Sequence, residues 1–188
     1  MSCREFPEFN KSIVFVGMMG AGKSAIGRRA AERLKLQFVD ADDEIENAAG
    51  CSISDIFELH GEQAFRDGER RVIQRLLDGP VKVIATGGGA FMNEATRAAI
   101  KTCAYSIWLR ADFNTLWRRV SRRNNRPLLK TADPQGTLRG LIEERYPVYA
   151  EADLIVDSTD GPRVAAVDGV IDALVAYLRE AADGETGR

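Results

Sequence analysis

Residues Gly17 to Ser24 read Gly-Met-Met-Gly-Ala-Gly-Lys-Ser and follow directly on the apolar run Ile13-Val14-Phe15-Val16. The G-x-x-x-x-G-K-[ST] spacing, set between a strand and a helix, predicts a polyphosphate-binding loop. A glycine-rich turn of this kind presents backbone N–H groups and the positive end of a helix dipole to an anion. Gly17 and Gly22 let the backbone turn and approach the phosphates, Lys23 reaches the β and γ oxygens, and the Ser24 hydroxyl ligates Mg²⁺.

Three further groupings carry chemistry. Phe38-Val39-Asp40-Ala41-Asp42 puts two carboxylates at the end of a second apolar run. Period-two alternation along a strand predicts that Asp40 and Asp42 point the same way, one toward hydrated Mg²⁺ and the other toward an acceptor hydroxyl. Thr86-Gly87-Gly88-Gly89 closes the run Val81 to Ala85, and three successive glycines imply close approach of backbone to a ligand. Arginine forks suit a substrate carboxylate. Arg66, Arg126 and Arg145 are all candidates, and position alone does not choose among them.

The elements that must hold these groups follow from periodicity. Short apolar runs near Ile13–Val16, Gln37–Val39, Val81–Ala85, Tyr105–Leu109 and Leu154–Val156 alternate with helical stretches, the signature of βαβ units and a parallel sheet. Lys23 to Lys35 and Asp112 to Arg122 each carry one apolar face. Ser52-Ile53-Ser54-Asp55 reads as a capping box, opening a short helix that ends at Gly61, with a second helix over Gly61 to Leu77 and a last one over Gly161 to Leu178. Arg122 to Thr137 is polar and rich in Arg, Asn, Pro and Thr; in a nucleotide-binding protein such a segment reads as a lid.

Composition sets the outer bounds. The 188 residues are 45% hydrophobic and 29% charged with a formal net charge of −2, which suits one domain with one core. We expect that core over about 12–180, the lid over about 122–137, and frayed tails at 1–10 and 181–188. The pI near 5.6 leaves no global positive field for nucleic acid or an anionic membrane. Cys3, Cys51 and Cys103 are odd in number and widely spaced, as expected of reduced thiols in a cytoplasmic protein.

Taken in order, Gly-x-x-x-x-Gly-Lys-Ser, Asp-x-Asp, Asp-Ile-Phe with Gly-Glu-x-x-Phe-Arg-x-x-Glu, Gly-Gly-Gly, Arg-Pro-Leu-Leu and Arg-x-Pro-x-Tyr closely resemble the shikimate kinase family, over roughly Ser12 to Thr159. The resemblance implies a three-layer α/β/α fold with a five-stranded parallel sheet, similar to nucleoside monophosphate kinases, with a lid. It implies transfer of the γ-phosphate of ATP to the 3-hydroxyl of shikimate, with Mg²⁺, by a cytoplasmic monomer. By that likeness Gly20, Ala21, Gly22, Lys23, Ser24 and Ala25 bind ATP, and Ser24 with Asp40 organises the metal. Asp42 bonds the attacking hydroxyl. Arg66 and Arg145 clamp the carboxylate, Gly87, Gly88 and Gly89 bind shikimate hydroxyls through backbone N–H groups, Arg126 is the lid arginine, and Arg119 stacks on adenine beside Ser158 to Asp160.

Two positions depart from the pattern. Ala25 stands where the family commonly carries Thr. Gly68 sits inside the Arg66 helix, where glycine costs about 1 kcal/mol against alanine, and reads as a bend or a close contact. The rival readings are a gluconate or nucleoside monophosphate kinase, a catalytically silent nucleotide-binding module, and, weaker still, a nucleic-acid-stimulated ATPase.

Overall fold

The computed structural model describes residues 9–122, 129, 131–159, 161 and 163–185. Strand β1, Ser12–Val16, is buried at every position. That burial on both faces explains why its sequence runs apolar without alternation. It lies at the centre of a parallel five-stranded sheet ordered β2-β3-β1-β4-β5, where β2 is Gln37–Asp40, β3 Lys82–Ala85, β4 Ala104–Arg110 and β5 Leu154–Asp157. The expected strands are all present, within a residue or so at each end.

Registers bring the strand ends level. Phe15 pairs with Ala85, Asp40 also with Ala85, and Val16 with Trp108. The loops leaving β1, β2 and β3 therefore open side by side at one edge of the sheet. From β1 the chain passes to one side of the sheet for β2 and β3, then crosses back for β4 and β5. That reversal beside β1 is the switch point at which open α/β sheets hold ligands.

Helix α1, Lys23–Leu34, packs on β2 and β3 and on the final helix α7, Arg163–Glu185. Gly27 makes the α1 contact possible: a Cβ there would lie 3.0 Å from the Phe38 ring and 3.3 Å from that of Phe15. On the other side, α3, Ile53–Leu77, packs against α2, Ala41–Ala49, and α4, Glu94–Cys103. The Ser52 capping box forms with Asp55, and Gly61 (φ 80°, ψ 172°) breaks α3 where expected.

Four differences from the sequence expectation have local causes. Asp42 is not a strand residue: β2 ends at Asp40, which caps α2 by accepting from the Asp42 N–H at 3.1 Å. The last residues of the expected lid are helical, because Asp133 caps and Pro134 opens α6, Pro134–Tyr149, a helix-start signal within a polar stretch. The helix α7 continues past Leu178 to Glu185, as alanine-rich sequence permits. Gly68 marks neither a bend nor a close contact, since the break in α3 lies at Gly61 and a Cβ at Gly68 would meet nothing within 4 Å.

Gly27→Val should destabilise the fold by about 2 kcal/mol through overpacking. Gly68→Ala should stabilise it by about 0.5–1 kcal/mol by removing the helix-propensity penalty. Urea unfolding of the two variants beside the parent measures both, with opposite signs expected.

Candidate active site

The loop between β1 and α1 is held by its own carbonyls. Lys23 Nζ donates to Gly17 O at 2.7 Å and Met18 O at 2.9 Å. Gly17, Gly20 and Gly22 all have positive φ (133°, 83° and 98°), the freedom that the glycine spacing anticipates. Helix α1 begins at Lys23 with no side-chain cap and no acidic residue in its first turn, which leaves its N-terminal N–H groups and dipole to a ligand. Ser24 and Ala25 occupy that first turn, and both line the cleft.

A second layer fixes the loop from behind. Ser158, buried after β5, donates to Ala21 O at 2.7 Å. Arg119, on α5 (Phe113–Val120), donates to Gly20 O at 3.1 Å, Ser158 Oγ at 3.0 Å and Thr159 O at 2.8 Å. Arg119 thus ties the phosphate loop to the β5–α7 connection at the rim of a cleft of about 570 Å³ that also includes Asp40, Asp42, Gly87 and Gly88. The likeness to the family suggested adenine stacking for Arg119; its hydrogen bonds to loop carbonyls are an additional, structural use. Asp160 and Arg126 lie outside the described residues.

The adjoining half of the site is cationic. Arg145 on α6 is 6% exposed, yet its Nε and Nη1 have no hydrogen-bond partner among the described residues. A buried guanidinium with idle donors is poised for an anion, because leaving such groups unpaired is costly. It lies beside the glycine turn, with Nη1 3.6 Å from where a Gly88 Cβ would stand. Arg66 reaches the same turn from α3: a Cβ at Gly89 would fall 2.4–2.7 Å from its guanidinium. A side chain at Gly87 would meet Glu69 Oε1 at 2.7 Å and Asp42 Oδ1 at 3.0 Å. Packing against the charged groups of the site therefore constrains Gly87 and Gly89, whereas a Cβ at Gly88 would make only ordinary contacts.

Glu69 is the residue that the sequence reading passed over. It stands one helical turn after Arg66, accepts from Arg66 Nη1 at 2.8 Å, and is 3% exposed. An i,i+3 charge pair next to a candidate clamp was the available signal. Glu62 holds the other end of the guanidinium at 3.1 Å. Burial pushes the Glu69 carboxyl above the ordinary glutamate value, with Asp42 adding to the rise and Arg66 and Arg145 opposing it.

Lys23, Ser24, Ala25, Asp40, Asp42, Gly87, Gly88 and Arg119 thus border one cleft, and Arg66, Gly89 and Arg145 line the adjoining turn. No cluster of three His, Cys, Asp or Glu side chains exists among the described residues, so a metal here would take most of its ligands from outside the protein. No described helix is long and apolar enough to cross a membrane.

A phosphate loop at the switch point of this sheet, facing an acidic pair and two arginines, defines a P-loop kinase acting on a small molecule. The shikimate kinase family model matches residues 19–175. The chain is 62% identical over 168 residues to a shikimate kinase of Bradyrhizobium diazoefficiens, covering 89% of this chain and 81% of the relative. It is 58% identical over 169 residues to one of Rhodopseudomonas palustris, covering 90% and 83%. Among solved structures, a shikimate kinase from Acinetobacter baumannii in complex with shikimate matches with a TM-score of 0.87 at 35% identity, over 90% of this chain and 95% of that one. A gluconokinase from Sinorhizobium meliloti shares the fold with a TM-score of 0.62 at 18% identity, over 96% and 98%. The chain belongs to the shikimate kinase family and is an enzyme.

Because the folded chain holds the Glu69 proton more tightly than the unfolded one, stability attributable to this group is greatest below the ordinary value of 4.5 and declines as pH rises through the raised one. Glu69→Gln cannot titrate. Its thermal midpoint relative to the parent should be higher at neutral pH than at pH 4.5, a comparison made by calorimetry at the two pH values.

Proposed function

We propose that the chain transfers the γ-phosphoryl group of ATP to the 3-hydroxyl of shikimate, giving shikimate 3-phosphate and ADP on the route to aromatic amino acids. The observation that carries the acceptor is the buried guanidinium of Arg145, with idle donors beside the triple-glycine turn. With Arg66 it makes a two-pronged receptor for one carboxylate, and the glycine N–H groups and Asp42 remain for hydroxyls. A second phosphate-bearing acceptor would not need this arrangement.

On the donor side, the loop N–H groups, the α1 dipole and Lys23 bind the phosphates. Phosphoryl transfer chiefly requires positioning and neutralised charge. Lys23 must leave the Gly17 and Met18 carbonyls to reach the γ-phosphate, so nucleotide replaces an internal bond pair with a charged one. Arg126 of the lid adds a second positive charge to the transferring group in this reading. The Asp42 carboxylate lies within reach of the acceptor hydroxyl and takes its proton as the new oxygen–phosphorus bond forms. The bond from phosphorus to the β-phosphate oxygen breaks, and its electron pair leaves with ADP.

Ser24 and Asp40 would hold Mg²⁺: both line the cleft and offer the hard oxygens that this ion takes together with substrate phosphates. Bound there, the metal neutralises charge on the phosphates. All groups in this reading come from one chain, so a monomer suffices, and we place its action in the cytoplasm.

Arg145→Ala should weaken shikimate binding by about 2–4 kcal/mol with ATP affinity nearly unchanged, read by calorimetric titration of each substrate. Asp42→Asn should lower kcat by about 10²-fold or more with a smaller change in KM, read in a coupled ADP-release assay. The same assay on the parent should lose activity with EDTA and regain it with excess Mg²⁺. Equal loss of ATP and shikimate affinity in Arg145→Ala would mark that residue as structural.

A further inference from the structure

The glycine turn has a polarity that its sequence does not reveal. All three of its carbonyls are occupied by protein donors. Gly87 O accepts from the Ala90 N–H at 3.3 Å, Gly89 O from the Met92 N–H at 3.0 Å, and Gly88 O from the Tyr149 hydroxyl. Two of these bonds are backbone contacts that any sequence could make. The third comes from a side chain on another helix.

In a trans peptide the C=O and the following N–H point in opposite directions, and this chain has no cis peptide among its described residues. The bond from Tyr149 therefore draws the Gly88 carbonyl into the core and turns the Gly89 N–H away from it. Neither the Gly88 nor the Gly89 N–H donates to another backbone group among the described residues. Gly89 itself stands against the Arg66 guanidinium, where a Cβ would fall 2.4–2.7 Å away.

Tyr149 is built for that purpose more than for packing alone. It is 0% exposed, and its ring meets Trp108, Phe91 and Tyr146 at centroid distances of 5.9, 6.5 and 6.3 Å. Those contacts fix where its hydroxyl can go. Burial raises its pKa far above the ordinary tyrosine value, so the hydroxyl stays protonated and remains a donor at every physiological pH. It also stands one turn after Arg145 on α6 and meets that side chain, so one helix sets both the Arg145 guanidinium and the orientation of the peptide next to it.

We infer that Tyr149 is a positioning residue for the acceptor: its hydroxyl, acting through the Gly88 carbonyl, aims the Gly89 N–H at a shikimate hydroxyl. The inference rests on the reading that the glycine turn contacts shikimate. Tyr149→Phe keeps the ring and removes the hydroxyl, and with it both the donor to Gly88 O and the contact with the Arg145 side chain. Loss through Arg145 would weaken every carboxylate-bearing analogue alike, whereas loss through the peptide spares one. The variant should raise KM for shikimate about tenfold, as the loss of one well-oriented hydrogen bond does, with KM for ATP unchanged.

The decisive comparison uses shikimate analogues lacking either the 4- or the 5-hydroxyl. For the analogue missing the hydroxyl that Gly89 serves, parent and variant should have the same KM, whereas the other analogue should keep the tenfold gap. A purely structural Tyr149 would lower the thermal midpoint and penalise every substrate alike, and that result would overturn the inference, as would an unchanged shikimate KM. Amide NMR separates this failure from failure of the underlying reading. If shikimate leaves the Gly88 and Gly89 resonances of the parent unmoved, the turn does not contact substrate and both fall; if they move equally in parent and variant, only the role of Tyr149 is lost.

Discussion

Each peptide unit has two poles, and the floor of this cleft is made by turning the same pole inward throughout. Carbonyls of Gly17 and Met18 face Lys23, those of Gly20 and Ala21 face Arg119 and Ser158, and those of Gly87 to Gly89 face Ala90, Tyr149 and Met92. Of the donors in those units, the Ala21 and Ala90 N–H groups bond Met18 O and Gly87 O, and the others make no backbone bond among the described residues and are left for ligands. A site for anions and hydroxyls could be lined with lysines instead, but each would bring a flexible, hydrated charge. Backbone donors held by buried partners need no reorganisation when charge develops on the substrate. The parallel sheet makes this possible by ending β1, β2 and β3 level.

The charged half depends on a different balance. Arg66, Glu69, Arg145 and Asp42 are gathered around a turn with no side chains of its own. Glu69 keeps the Arg66 fork in place at the cost of burying a carboxylate, and that burial pushes its pKa upward. Arg145 is only partly escorted: it meets the Tyr149 hydroxyl and the field of Glu69, while its Nε and Nη1 have no hydrogen-bond partner among the described residues. Its idle Nε and Nη1 donors leave the site short of a matching anion, which the carboxylate of the proposed acceptor would supply.

Much of this was legible in the chain, and the failures share one cause. The phosphate loop, the five strands, the Ser52 box and the break at Gly61 are local signals, each written in a few neighbouring residues. Asp42 was assigned to the right cleft on a wrong ground, since a helix and not strand alternation brings it there. Helix α6 was hidden by the polarity of its first turn, although Asp133-Pro134 announces a cap. Glu69, Ser158 and Tyr149 act through contacts 3, 137 and 61 residues away in sequence. Only the first spacing is visible to a periodicity argument, and the family motifs name the residues at the other ends without saying what holds them. Gly68 looked demanding, yet a Cβ there would meet nothing within 4 Å, because absence of a side chain signals nothing by itself about its surroundings.

The central place of β1 also has a temporal side. Its partners are β3 and β4, both of which follow it in the chain, so the strand that carries the phosphate loop is made before either of its neighbours. Until residue 104 has emerged, one edge of β1 has no neighbour, and closing so long a loop must precede the reward of pairing. The nascent chain therefore carries an apolar strand with at least one open edge until β4 is made, and competence to bind nucleotide is a property of the assembled sheet and not of the motif.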